Sequence, residues 1–138
     1  MYGTLDISTS GLIAQRTRLE AISANIANSR VILDADGNLN PYKRREVFFA
    51  PGDPSAATPA GRALGVHVAA IEANEDAVRF EPDPSNPFAD ERGMVPYPDI
   101  DPVMEQVSAM EAIRAYEANI TVAEATKSMM AQALRLIA

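Results

Sequence analysis

The two ends of the chain carry helical stripes of apolar residues, and the stretch between them alternates with a period of two. Leu5, Leu12, Leu19 and Ile26 fall seven apart, and Ile22 fills the offset position between the last two. That spacing predicts one apolar seam on a long helix that meets another helix. Arg16, Arg18 and Glu20 point elsewhere, so the stretch is amphipathic. Asp6, Ser8 and Ser10 offer capping oxygens, which predicts a helix start between Asp6 and Ser10. Asn28-Ser29 predicts its end, since Asn tolerates the left-handed conformation common there.

A second stripe occupies the C-terminal part. Asp101 reads as a cap, Pro102 as the first helical position, and Glu105 suits the positive end of the dipole. No Pro or Gly follows, so the helix is expected to run unbroken for roughly 50 Å. Ile113, Tyr116, Ile120, Ala123, Lys127, Met130, Leu134 and Ile137 alternate three and four apart, led in by Val103, Val107 and Met110. This predicts a coiled-coil seam with Lys127 as its one charged member, its stem snorkelling outward.

The middle reads as short strands and turns. Val31-Ile32-Leu33 runs into Asp34-Ala35-Asp36-Gly37-Asn38, whose acids suggest a calcium loop. An EF-hand needs Gly at the sixth position and Glu at the twelfth, whereas Gly37 is fourth from Asp34, so a turn built on Asp-Gly is the better reading. Glu46-Val47-Phe48-Phe49 reads as a strand after Pro41-Tyr42-Lys43-Arg44-Arg45, whose bases are expected to pair with neighbouring carboxylates. Residues 51–65 read as a flexible loop rich in Pro, Gly and small residues. Val66–Ile71 and Ala77–Glu81 flank Asn74-Glu75-Asp76 and read as the two arms of a hairpin. Six prolines between Pro82 and Pro102 predict an extended connection, with Met94-Val95 making one short strand contact.

The resulting fold class is α+β and mainly helical. Long N- and C-terminal helices pair as a coiled coil, with a small β-hairpin and irregular middle segment. Residues 1–30 and 101–138 are expected to form one discontinuous helical unit, and residues 31–100 an outer, β- and loop-rich one. The fold of residues 50–100 is the part this pattern leaves open.

Composition thins the core. The 138 residues are 47% apolar, but much of that is alanine and Trp is absent. Alanine buries little area, so helices of this composition are expected to finish burying their faces against other molecules. The net charge of −7 is concentrated in the middle: residues 31–100 carry six basic and twelve acidic side chains. An acidic chain with no basic stripe argues against nucleic acid. No apolar run approaches the ~20 residues of a membrane span, and the N-terminal sequence lacks the pattern of a cleaved signal peptide. With no cysteine, thiolate chemistry, disulfides and Cys-based metal sites are excluded.

Candidate catalytic groups are few. His67 is the single histidine and alternates with valines, so a Ser-His-Asp set would have to be built around that one ring. Asp83, Asp90 and Glu91 form a conceivable acid/base pair, but they lie in the proline-rich connection and read as solvated. Tyr116 and Asn119 read as helix packing with one hydrogen bond. No catalytic, cofactor-binding or metal-binding residue is expected.

The segment Leu19-Glu20-Ala21-Ile22-Ser23-Ala24-Asn25-Ile26-Ala27-Asn28 resembles the N-terminal signature of the bacterial flagellar rod, hook and hook-associated family. Four further stretches resemble the rod proteins in particular. They are Pro41–Arg45; Asp83-Pro84 with Ala89–Val95; Tyr97–Ile100; and Arg114-Ala115-Tyr116-Glu117-Ala118-Asn119-Ile120. Asp99 and Asn86-Pro87 depart from the family pattern, and the 51–65 loop aligns with none of it.

The resemblance implies a structural subunit of the flagellar proximal rod, located in the periplasm and exported unfolded through the flagellar type III apparatus. It implies helical polymerisation through the terminal helices, with the subunit itself, other rod proteins, the MS ring and adjoining adaptor subunits as partners. Nucleic acid and direct membrane insertion are not expected. The positions expected to pack within and between subunits are Leu12, Leu19, Ile22, Asn25, Ile26, Asn28, Met110, Ile113, Tyr116, Asn119, Ile120, Met130, Leu134 and Ile137. Two other readings compete: a soluble helical binding module such as an export chaperone or adaptor, and a small hydrolase using Asp83 or Asp90.

Overall fold

The computed structural model describes residues 2–137, with the side chain of Ile137 outside the described part. Helix α1 spans Tyr2–Ala27 and helix α3 spans Pro102–Ile137. Between them come β1 (Arg45–Pro51), a short helix α2 (Pro59–Leu64), β2 (Val66–Ala73), β3 (Val78–Pro82) and β4 (Met94–Pro98). Helix α3 begins as its sequence predicts: Asp101 Oδ1 accepts from Val103 N at 2.9 Å, ahead of Pro102 in the first turn.

Helix α1 starts earlier than its capping residues suggested, because those residues serve other elements. Asp6 Oδ2 accepts from the hydroxyl and the amide of Thr58, at 2.6 and 3.0 Å. Ser10 Oγ accepts from Val66 N at 3.0 Å and donates to the Ile7 carbonyl. The helix ends where expected, though not through a left-handed Asn. Asn28 instead sends both its amide and its side-chain Nδ2 back to the Ala24 carbonyl.

The two long helices run antiparallel. Asn25 meets Glu105, Arg18 meets Glu111, and Gly11 lies against Asn119. The deepest line on α1 is Gly11, Ala14, Ala21, Ile22 and Asn25. Leu12, Leu19 and Ile26 flank that line half-buried. The reason is steric: small residues let the two backbones approach, and a Cβ on Gly11 would stand 2.8 Å from Asn119 Nδ2.

On α3 the inward line is displaced by one residue from the predicted seam. Ala112, Asn119, Thr126 and Ala133 lie inward, whereas Ile113, Lys127 and Leu134 are exposed. Tyr116, Ile120, Ala123 and Met130 are half-buried, as the seam predicted, and Met110 is exposed. Lys127 therefore has no need to snorkel.

The hairpin expected from Val66–Ile71 and Ala77–Glu81 does not form. β2 pairs antiparallel with β1, from Arg45↔Ala73 to Pro51↔Val66, with an irregularity between Phe48 and Phe49. β3 pairs antiparallel with β4, from Val78↔Pro98 to Pro82↔Met94. The strands lie where the sequence pattern places them, and their partners differ.

The cause lies in residues 51–65, which are structured rather than an open loop. Thr58 caps α2 by accepting from Gly61 N at 3.1 Å, with Pro59 in the first turn. Gly52 N donates to the Gly65 carbonyl at 2.6 Å and closes the neck of the segment, so β2 returns beside β1. Gly61 sits so close to α1 that a Cβ there would stand 2.7 Å from the Cβ of Asp6. A second small core of Ala77, Val95, Pro98 and Ile100 anchors β3 and β4. Full burial of Val95 and Ile100 is worth about 1.5–3 kcal/mol each.

Candidate functional site

One residue of the N-terminal signature, Asn25, lies at a buried polar junction where α1 ends, β1 begins and α3 begins. Asn25 is its centre, at 1% exposure. Its Nδ2 donates to the Arg45 carbonyl at 3.0 Å and to Glu105 Oε2 at 3.2 Å. Its Oδ1 accepts from Arg45 N at 2.9 Å and from the Tyr42 hydroxyl at 3.4 Å. One side chain thus satisfies both backbone groups of Arg45 and fixes the first residue of β1 against both helices.

Glu105 is 2% exposed, and its other oxygen accepts from Arg44 Nε at 2.8 Å. Arg44 also pairs with Glu46. A buried carboxylate with an arginine and an amide donor is compensated, and removing either partner would leave charge stranded. Of the basic run 43–45, Arg44 pairs with carboxylates as expected, whereas Lys43 and Arg45 find other partners. Arg44 holds two carboxylates, Lys43 Nζ donates to the Glu75 carbonyl at 3.2 Å, and the Arg45 guanidinium lies 5.8 Å from the centre of the Tyr42 ring. Beside the junction is an open groove of about 320 Å³ lined by Arg18, Ile22, Arg45, Phe49 and Ser108 among others.

The remaining candidate groups are committed to local structure. Asp34 Oδ1 accepts from the amides of Asp36 and Asn38, and Gly37, at φ 82°, completes a turn. Ser10, Asp53 and His67 do line one cavity of about 210 Å³. Their donors and acceptors are directed elsewhere: His67 Nδ1 meets the Gly52 carbonyl at 2.6 Å, so that nitrogen carries the proton. Asp53 Oδ1 accepts from Ser55 N at 2.9 Å and Ser55 Oγ at 2.6 Å. Those two bonds, with a smaller contribution from His67, hold the Asp53 carboxyl below the usual carboxylate range. Asp90 Oδ1 accepts from the amides of Arg92 and Met94 in the turn before β4, and Asp83 accepts from Ser85 Oγ. Asn119 Nδ2 donates to the Ala115 carbonyl one turn back in its own helix.

Much apolar surface stays open. Val103, Met104, Val107, Met110, Ile113, Val122, Met129, Leu134 and Leu136 are all exposed on α3. The 14.8 kDa chain presents 8984 Å² to solvent, against about 7000 Å² for a compact monomer of that mass. Among the described residues no helix is long and apolar enough to cross a membrane. Sequence reasoning missed the inward role of Gly11 and Thr126 and the link from Asp6 to Thr58, none of which carries an apolar signal.

Comparison with known proteins bears on both ends. Residues 5–29 match the family model described as flagella basal body rod protein. Residues 91–136 match that described as flagellar basal body rod FlgEFG protein C-terminal. Over 99% of its length the chain is 35% identical to the flagellar basal-body rod protein FlgC of Borreliella burgdorferi and covers 97% of that protein. It is 37% identical to FlgC of Salmonella typhimurium, with the same coverage of each chain. FlgC of Bacillus subtilis is 31% identical over 98% of this chain and 97% of its own. With a signature-bearing first helix, a matching last helix and end-to-end similarity to these relatives, the chain belongs to the FlgC family of flagellar basal-body rod structural proteins.

Proposed function

We propose that the chain is a subunit of the proximal rod that polymerises helically through α1 and α3 and so helps form a periplasmic shaft transmitting torque. The observation that carries this is the excess of exposed surface, about 2000 Å² beyond that of a compact monomer of this mass, together with the large apolar side chains exposed along α3. Large apolar side chains left bare in this number belong to an interface. On this reading residues 1–30 and 101–138 form the axial unit and residues 31–100 sit further out. The polar junction at Asn25 sets the angle between them.

The positions that pack between subunits are then the exposed Met110, Ile113 and Leu134 and the open edges of Leu12, Leu19, Ile26 and Ile120. Ile22, Asn25, Asn28, Tyr116, Asn119 and Met130 hold the pair that presents them. The partners are further copies, other rod proteins, the MS ring with adjoining adaptor subunits, and, on the way out of the cell, the flagellar type III export apparatus. A heterologous contact that does not close generates a helical polymer. The chemistry left for an enzyme is small, since the groups of the Ser10, Asp53 and His67 cavity are occupied by structural bonds.

Removal of residues 128–138 tests the reading. The truncated chain should fail to join basal bodies and fail to restore motility, because it lacks the most exposed apolar part of α3. Normal motility from the truncated protein would contradict it. A soluble adaptor would instead show protected helix ends in amide exchange on the isolated chain.

A further inference from the structure

Helix α3 outruns its partner. The antiparallel register set by Asn25–Glu105 and Gly11–Asn119 brings the described start of α1 level with α3 near Ser128. The turns from Met129 onward project past it by roughly 13 Å. They are mostly apolar: Met129, Leu134 and Leu136 are exposed, the last at 89%, with Met130, Ala131 and Ala133 between them and Gln132 and Arg135 as the polar members.

At the opposite end of α3 lies a second bare patch, Val103, Met104, Val107 and Met110, turned away from α1. The charges at the two ends are opposite. From Ala125 onward the charged side chains are Lys127 and Arg135, whereas Asp99 to Glu111 carries Asp99, Asp101, Glu105 and Glu111 with no base. Lys127 and Arg135 stand eight residues apart and Asp101 and Glu111 ten, so a parallel overlap can bring both pairs near one another.

We propose that the projecting turns of one copy's α3 lie on Val103, Met104, Val107 and Met110 of a second copy, in parallel head-to-tail order, with Lys127 and Arg135 beside Asp101 and Glu111. The proposal rests on the rod-subunit reading and specifies its contact. Two unlike patches at opposite ends of one molecule make a heterologous interface that repeats along a line.

The chain has no cysteine, so the contact can be trapped directly. Cells lacking their own copy of the gene would express two differently tagged copies, one carrying Leu136→Cys and the other Met110→Cys, and isolated basal bodies would be oxidised. The expected product is the mixed 110–136 disulfide, in excess of either symmetric one. Arg135→Glu on the first copy should lower its yield about fivefold, and Glu111→Arg on the second should restore it. If tagged copies enter basal bodies but the symmetric 136–136 product predominates, or Leu136→Cys is captured only by another protein, the contact is wrong while assembly stands. If the cysteine-free chain does not enter basal bodies, the rod reading fails and the contact fails with it.

Discussion

Asn25 and Glu105 stand 80 residues apart in the chain and share a buried hydrogen bond of 3.2 Å, where the end of α1, the start of β1 and the start of α3 are tied together. Replacing Asn25 by Ala removes four hydrogen bonds and strands the Arg45 backbone groups. A loss of about 2–4 kcal/mol is expected in denaturant unfolding near neutral pH. Asn25→Asp should cost at least as much, because it sets a second carboxylate against Glu105. A variant Asn25→Asp as stable as the parent would show that the junction does not hold the helices.

Gly11 and Asn119 mark a close approach of α1 to α3. Gly11→Ala gains up to ~1 kcal/mol of helix propensity but must displace the Asn119 amide from 2.8 Å and break its bond to Ala115. The net effect should be a destabilisation of about 1 kcal/mol. Asn119→Ala in the same chain should turn the substitution into a gain. A double-mutant cycle reads the coupling, and additivity would remove the close contact from the account.

Thr58 caps α2 and, through Asp6, fastens it to α1. Thr58→Ala should cost about 1 kcal/mol. Amide exchange in residues 59–65 should accelerate more than in α3. Uniform acceleration across the chain would mean that α2 does not open separately.

Asp53 titrates below its ordinary value because Ser55 donates to its ionised form. A depressed folded-state pKa contributes stability above the unfolded value, near pH 4, and that contribution fades as pH falls through the lower folded value. Carboxyl chemical shifts followed with pH should place the Asp53 midpoint below that of an unstructured Asp. Ser55→Ala should move it upward, and an unmoved midpoint would contradict the assignment of the cause.

The sequence revealed elements better than partners. Both long helices, the Asp101-Pro102 start and all four strands are legible in periodicity and capping residues, because those signals are local. The pairing of β2 with β1 was not, since it depends on Thr58, Asp6 and the Gly52–Gly65 bond closing a segment that composition marks as loose. The seam on α3 was displaced by one residue for a similar reason. Apolar size picks out Ile113 and Leu134, whereas close helix approach selects Ala112, Asn119, Thr126 and Ala133, which give no hydrophobic signal. The large residues are bare in the single chain. Asn25 was legible only as a signature residue; its bonds to Arg45 and Glu105 required the fold.

Leu134 separates folding from assembly most cleanly, being 66% exposed in the single chain. Leu134→Asp should leave the unfolding midpoint of the isolated protein within about 0.5 kcal/mol of the parent, as an exposed substitution does. In an interface the same carboxylate would be buried without a partner, at severe cost. The decisive measurement is incorporation of the Leu134→Asp protein into basal bodies in cells lacking the parent gene, alongside its stability in isolation. The account predicts unchanged stability with incorporation and motility lost. Normal incorporation and swimming would contradict the claim that the bare face of α3 is an assembly surface.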